Sequence, residues 1–176
     1  MKHCDFFIII IVVLLLHSCA AINKIPDAGH THLIENVPFY PQETYQCGPA
    51  SLAGVLNYRG INISPDEIAK EIFSESARGT LNIDMVLYAQ NRGLNAVQYK
   101  GGMNDLKKNI DSGNPVIVLI DYGFSMYQAN HFMIVVGYNE HGIIVNSGRN
   151  KGKFISEEEF LKAWEKADYW TLLIKK

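Results

Sequence analysis

The segment from Pro41 to Ala53, Pro-Gln-Glu-Thr-Tyr-Gln-Cys-Gly-Pro-Ala-Ser-Leu-Ala, places a cysteine where an extended stretch turns into a helix. Pro49 suits the first helical turn, because the N–H that proline lacks has no intrahelical partner there. Leu52 and Leu56 follow at helical spacing and predict that the helix is held in a core. A thiol at a helix start lies near unpaired N–H groups and the positive end of the dipole, and both favour the thiolate. Cys47 is therefore predicted to be either a nucleophile or a small buried side chain.

The N-terminus has the pattern of a secretory signal. Phe6 to Leu16 is an unbroken apolar run of eleven residues, whereas a helix needs about 20 to span a bilayer. Leu16-His-Ser-Cys19 resembles the bacterial lipobox, in which the cysteine is lipidated and becomes the mature N-terminus. We expect a signal peptide over residues 1–18 and a lipidated Cys19 followed by a tether, together residues 19–36. The expected location is the bacterial cell envelope, lipid-anchored to a membrane (the outer membrane or the periplasmic face in a Gram-negative host).

The three cysteines divide between these roles. Cys4 is expected to leave with the signal peptide and Cys19 to carry lipid, so that Cys47 is alone in the predicted domain over residues 37–176. An exported protein with one unpaired cysteine either awaits a partner or uses the thiol. Because an idle thiol is open to oxidation in an oxidising compartment, this favours a working Cys47.

Charge and metal-ligating residues exclude several classes of function. The formal net charge is −2 at pH 7, and no basic run or aromatic–basic pattern occurs, so no nucleic-acid partner is expected. His30 and His32 lie in the predicted tether without a third ligand, so we expect no metal and no other cofactor.

Hydrophobic periodicity predicts an α+β domain, with helices in the first half and an antiparallel sheet in the second. If the thiol on the first helix has a base on a facing strand, the two meet across an active-site cleft between the halves. The capping signals at Ser64, Asn82, Asn104 and Ser156 are each expected to open a helix. The first helix is predicted over 48–58, and the strands over 94–99, 115–120, 131–138, 142–146, 153–155 and 169–174.

His131 lies at the edge of a core strand and is the candidate base for Cys47. A third group should orient its ring, and the predicted hairpin brings either Asn146 or Ser147 near it; we take Asn146 as the first choice. Gln42 and the backbone N–H of Cys47 are the candidate donors to an oxyanion.

Two blocks, Val37 to Ala53 and His131 to Tyr138, resemble the signature blocks of the C39-like cysteine peptidases. These are papain-like domains, best known for cutting leader peptides after a double glycine. The resemblance extends over essentially the whole predicted domain and implies a papain-like fold. It also implies that Cys47 is the nucleophile, His131 the general base and Gln42 the oxyanion glutamine.

Where the family usually has an aspartate, this chain has Ser147, and a stand-alone, lipoprotein-type branch of the family is similar at this point. We therefore expect a cysteine peptidase with a Cys–His dyad or triad. The alternatives are a non-catalytic peptide-binding module of an exported lipoprotein and a cysteine acyltransferase. The expected partners are a peptide or protein substrate and, through Cys19, a membrane; a separately encoded exporter or secretion partner is a further candidate.

Overall fold

The computed structural model describes residues 30–42 and 46–176 of the chain. The predicted signal peptide over residues 1–18 and the lipidation of Cys19 lie outside the described residues. The predicted α+β class is confirmed, with five helices and a large antiparallel sheet in the described part. Within the same ranges, no helix combines the length and the apolar character that crossing a bilayer requires.

The helices and strands are as follows. The helices are α1 (Cys47–Tyr58), α2 (Pro65–Ile72), α3 (Asn82–Gln90), α4 (Met103–Asp111) and α5 (Glu157–Glu165). The strands are β1 (His32–Leu33), β2 (Phe73–Ser74), β3 (Gly79–Thr80), β4 (Asn95–Lys100), β5 (Val116–Asp121), β6 (Asn130–Asn139), β7 (Gly142–Ser147), β8 (Asn150–Ser156) and β9 (Trp170–Lys175).

The main sheet has seven antiparallel strands. Six of them follow the order β4-β9-β5-β6-β7-β8, and β1 pairs with β6 at Gly137 and Tyr138, beyond the part of β6 that pairs with β5. The β-branched run that predicts a strand buried on both faces forms β5, in which every residue is buried. Strands β2 and β3 form a separate small hairpin between α2 and α3.

Two of the four predicted helix caps form as expected. The Ser64 side chain accepts from the Glu67 N–H while Glu67 caps the Ser64 N–H, and the Ser156 side chain accepts from the N–H three residues on. The predictions for Asn82 and Asn104 are wrong. The N-cap positions of these two helices are occupied by Leu81 and Gly102, which have extended backbone. Both asparagines therefore lie inside the first helical turn.

The tether predicted over residues 19–36 extends too far, because its last residues belong to the folded domain. His32 and Leu33 pair with β6, and Ile34 is buried. The Nδ1 atom of His32 lies 2.7 Å from a carboxylate oxygen of Asp111, and its ring stacks on Tyr138 with centroids 4.5 Å apart. The packed domain therefore begins before residue 37.

Helix α1 is the buried helix on which the two halves meet. All residues from Gly48 to Leu56 are buried, and α1 contacts α2, α3 and strands β5 and β6. At Gly54 a Cβ atom would lie 2.6 Å from Cδ1 of Ile134 in β6 and 2.8 Å from the carbonyl oxygen of Pro38. The helix can approach the sheet this closely only because Gly54 has no side chain.

We expect Gly54→Ala to lower the free energy of unfolding by about 1–3 kcal/mol, since the added methyl group overpacks the contact with β6. At an unconstrained helix position the same change would stabilise by about 0.5–1 kcal/mol. Chemical denaturation of both proteins measures the difference. Gly102→Ala is the matched control, because its Cβ would meet no atom within 4 Å, and a stabilised Gly54→Ala would contradict the close approach.

Candidate active site

A cleft of about 1090 Å³ opens between the helical half and the sheet. Cys47 enters it from the first residue of α1, His131 from the start of β6, and Gln42 from the segment that precedes α1. Gln42 and Cys47, which are near each other in the sequence, thus share one cleft with the distant His131. Further lining comes from the β2–β3 hairpin, the start of α3, and Trp170.

Ser147, and not Asn146, contacts His131. The Oγ atom of Ser147 lies 2.9 Å from Nε2 of His131, at hydrogen-bonding distance. Asn146 pairs in register with Ile134, three residues along β6, and therefore shares the face of Ile134 rather than that of His131. Its Oδ1 accepts a hydrogen bond from the Gly152 N–H at 3.0 Å instead. The preference for Asn146 as the orienting group is therefore wrong in this geometry.

Gln42 is fixed to the segment that follows Ser147. Its backbone N–H donates to the Gly148 carbonyl at 2.9 Å, and its Oε1 accepts from the Gly148 N–H at 3.2 Å. Because the side-chain oxygen faces Gly148, the NH₂ group is on the other side, where its contact with Oγ of Ser51 is long, at 3.5 Å. An amide N–H that is held in place but weakly engaged is suited to donate to a developing oxyanion.

The backbone at the start of α1 offers a second donor. Gln46 precedes the helix without a side-chain cap, and the first intrahelical bond of this turn runs from the Ala50 N–H to the Gln46 carbonyl. The N–H of Cys47 has no backbone acceptor among the described residues, and it acts only on the sulfur of its own side chain. It lies one residue from Gly48, whose missing Cβ would come 2.8 Å from Cβ of Thr80 in β3.

Burial controls the protonation of both reacting groups. It raises the pKa of the Cys47 thiol above its ordinary value, and the backbone N–H groups of Phe132, Gly48 and Cys47 offset this only in part. Burial also lowers the pKa of His131, and the positive charge of Lys153 adds to that effect. Both pKa shifts favour the neutral thiol and the neutral imidazole, so burial opposes the thiolate that the helix start predicts.

The backbone contact to the thiol also indicates proximity. The Phe132 N–H that acts on the Cys47 sulfur belongs to the residue directly after His131. Nε2 of His131 is engaged by Ser147, and Nδ1 has no hydrogen-bond partner among the described residues. Nδ1 is therefore the ring nitrogen open to a proton from the thiol or from a leaving group.

Asp121 fixes the loop that leads into His131. Its buried side chain accepts hydrogen bonds from the N–H groups of Gly123 and Ala129, both at 2.7 Å, and so closes the loop at the ends of β5 and β6. Asp121 and Ile120 pair in register with Asn130 and His131. The position of the imidazole thus depends on a carboxylate whose charge is satisfied by backbone donors.

Several residues that line the cleft were not predicted from the sequence, and three of them are polar or charged residues close to the predicted site. Arg78 and Thr80 lie in the β2–β3 hairpin, and Arg149 follows Gly148 in the turn between β7 and β8. Strands of two residues have no measurable periodicity, so the hairpin gives no signal in the sequence. Arg149 lies only two residues beyond Ser147, and that proximity could have indicated that it belongs to the site.

The chain matches the model of the Peptidase_C39 like family over residues 34–171, and it belongs to this family of C39-like peptidases. An uncharacterized protein of Methanothermobacter thermautotrophicus (strain Delta H) is 31% identical over 113 residues, which cover 64% of this chain and 72% of that protein.

Solved structures of C39-like peptidases share the fold. A protein from Bacillus anthracis described as a C39-like peptidase has a TM-score of 0.70 at 18% identity, covering 84% of this chain and 98% of that one. The peptidase domain of Streptococcus ComA, an ABC transporter of a quorum-sensing pathway, has a TM-score of 0.66 at 25% identity, covering 79% and 98%. A double glycine motif protease from an AMS/PCAT transporter, solved with its leader peptide, has a TM-score of 0.64 at 25% identity, covering 79% and 91%.

Replacing Ser147 with aspartate should raise the pKa of His131 by at least about one, because a carboxylate next to the ring stabilises the imidazolium. Titration of the histidine ring signals by NMR measures this value. Ser147→Ala is the control, since it removes the hydrogen bond without adding a charge. An unchanged His131 pKa in Ser147→Asp would contradict the observed contact.

The pH dependence of alkylation tests the neutral resting state. Iodoacetamide reacts with the thiolate, so the rate at Cys47 should rise through a single titration whose midpoint lies above the ordinary thiol value of 9.0. Peptide mass spectrometry of the full chain assigns the modification to Cys47. A reactive plateau that persists below about pH 7 would instead indicate a preformed thiolate–imidazolium pair.

Proposed function

We propose that this protein is a cysteine peptidase that hydrolyses a peptide bond through Cys47 and His131. The observation that supports it best is the meeting of Cys47, His131 and Gln42 in one cleft, with the imidazole held by Ser147. Membership of the C39-like peptidase family supports the same chemistry.

In the first half of the reaction the neutral His131 takes the thiol proton as the Cys47 sulfur attacks the substrate carbonyl carbon. An S–C bond forms and the carbonyl becomes an oxyanion. When the tetrahedral species collapses, the C–N bond breaks and the imidazolium gives its proton to the leaving amine. The product of this half is a thioester on Cys47.

In the second half a water molecule attacks the thioester and His131 takes a proton from it. Collapse of the second tetrahedral species breaks the C–S bond, and the imidazolium returns its proton to the sulfur. The NH₂ group of Gln42 and the N–H of Cys47 stabilise the oxyanion in both halves. A single donor of this kind is worth about 10²–10³ in kcat.

A lowered His131 pKa suits this mechanism. The imidazole must be neutral to accept the thiol proton, and burial keeps it neutral at physiological pH. The Ser147 hydroxyl then orients the ring without adding a charge, and the imidazolium exists only while a proton is in transit.

Hydrolysis of a degenerate library of acetylated and amidated decapeptides, followed by mass spectrometry, tests the proposal. Cys47→Ala should abolish cleavage with the thermal unfolding temperature preserved, because the thiol supplies the nucleophile. Gln42→Ala should lower kcat about 10²–10³-fold with little change in KM. Lys108→Gln, an exposed change on α4 and outside the cleft, should cleave as the wild type does.

The same assay separates the alternative functions. A wild-type protein that binds peptides in the cleft without cutting them is a binding module and contradicts the peptidase proposal. Transfer of the acyl group to an added primary amine in preference to water identifies an acyltransferase. Cleavage that persists in Cys47→Ala would show that another group is the nucleophile.

A further inference from the structure

The arginines of this chain differ in whether their side chains form hydrogen bonds or salt bridges. Arg59 donates to the Ile174 carbonyl and to the Asn114 side chain, and Arg92 is paired with Glu71. The two others, Arg78 and Arg149, make no side-chain hydrogen bond and no salt bridge with any described residue. Both of these unpaired guanidinium groups line the cleft that holds Cys47.

The charge of the cleft is opposite in sign to that of the protein. The whole chain has 18 acidic residues against 16 Lys and Arg. Within the described ranges, no Asp or Glu side chain lines the cleft, whose only charged lining groups are the two arginines. Lys153 adds a further positive charge close enough to lower the pKa of His131. The described lining of the cleft is therefore positive in a chain whose formal net charge is negative.

The two arginines approach the cleft from opposite walls. Arg149 follows Gly148, which is hydrogen-bonded to Gln42 on the sheet side. Arg78 belongs to the β2–β3 hairpin on the helical side, two residues before Thr80, which packs against Gly48. Arg78 has a φ of 49°, a left-handed conformation that residues other than glycine adopt infrequently. Arg78 and Arg149 thus line the same cleft as Cys47 and come from two different segments of the chain.

We propose that the cleft selects peptides with Asp or Glu side chains close to the scissile bond, bound by Arg78 and Arg149. Guanidinium groups pair with carboxylates in bidentate geometry, and neither arginine is paired with a carboxylate of residues 30–42 or 46–176. This inference rests on the proposed function, because it presupposes that a peptide bond is cut in the cleft. It assigns a role in substrate specificity, and not in catalysis, to the two arginines. Because both are exposed, each should contribute about two- to fivefold to discrimination, as exposed ion pairs do.

A pair of alkylating reagents measures the cleft charge without requiring hydrolysis. The Cys47 thiolate reacts with both iodoacetate and iodoacetamide, but only iodoacetate carries a negative charge. The ratio of the two alkylation rates at Cys47 is therefore independent of the pKa of the thiol. At about pH 9, where His131 is neutral, this ratio should exceed that of N-acetylcysteine blocked as its uncharged amide about threefold or more at low salt. It should approach the value of N-acetylcysteine amide in 1 M salt, where the Debye length is about 3 Å.

The double variant Arg78→Gln/Arg149→Gln should bring the ratio close to that of N-acetylcysteine amide. Lys108→Gln/Lys162→Gln removes the same charge from exposed helix positions outside the cleft and should leave the ratio high. A wild-type ratio equal to that of N-acetylcysteine amide, or one that the arginine variant does not lower, would overturn the proposal. Thermal unfolding of each variant confirms that the folded state is compared.

Substrate class is tested with two degenerate decapeptide pools that have blocked termini and differ only in carrying Glu or Gln. The Glu pool should slow alkylation of wild-type Cys47 by iodoacetamide several-fold more than the Gln pool does, and the difference should vanish in the arginine variant. Equal protection by the two pools overturns the proposal even if peptides are cleaved. Stronger protection by the Glu pool without any cleavage supports the proposal and contradicts the peptidase function alone.

Discussion

The close packing of α1 against β6 is the constraint on which the rest of the structure depends. Cys47 begins this helix and His131 lies next to the first residue of this strand, so the separation of the two elements sets the separation of thiol and imidazole. The absence of a side chain at Gly54 lets Ile134 and the Pro38 carbonyl come within van der Waals reach of the helix. Since packed interiors deform little, the two reacting groups are held by rigid elements rather than by loops.

Around this contact, side chains from both halves complete the site. Gln42 is bonded at two points to Gly148, which links the segment before α1 to the end of β7. Ser147, one residue earlier, engages the imidazole, while Asp121 closes the loop on the other side of His131. The groups that position His131 and Gln42 are therefore neighbours in one network. Burial of that network also favours the neutral thiol and the neutral imidazole.

The sequence was sufficient for the class of fold and for the residues with a local signature. The β-branched run of β5 and the capping box at Ser64 are local patterns, and Cys47 stands out because it combines a helix start with an unpaired thiol. The choice between Asn146 and Ser147 could not be made this way. The pairing of β6 with β7 shifts between Val135 and Gly137, and a bulge of this kind changes which side chain faces His131 without any mark in the sequence.

The protonation of the thiol and the location of the arginines are two further features that the sequence alone did not predict. The helix start predicts a stabilised thiolate from N–H groups and the dipole, but the larger effect is desolvation, which depends on the packing of the whole domain. Arg78 reaches the cleft through a hairpin of two-residue strands, and such strands leave no periodic pattern. The chemical character of individual residues could be predicted from the sequence. Their burial, the register of the strands and the presence of both arginines in one cleft required the fold.

The proposed peptidase function requires covalent catalysis by Cys47 and His131 in this cleft. Rapid acid quenching during peptide turnover, followed by mass spectrometry of the intact full chain and of its peptides, is the most direct test. We expect an acyl group attached to Cys47 as a thioester, which hydroxylamine removes and which does not form in His131→Ala. Peptide cleavage without any acyl group on Cys47, or with one on another residue, would contradict it.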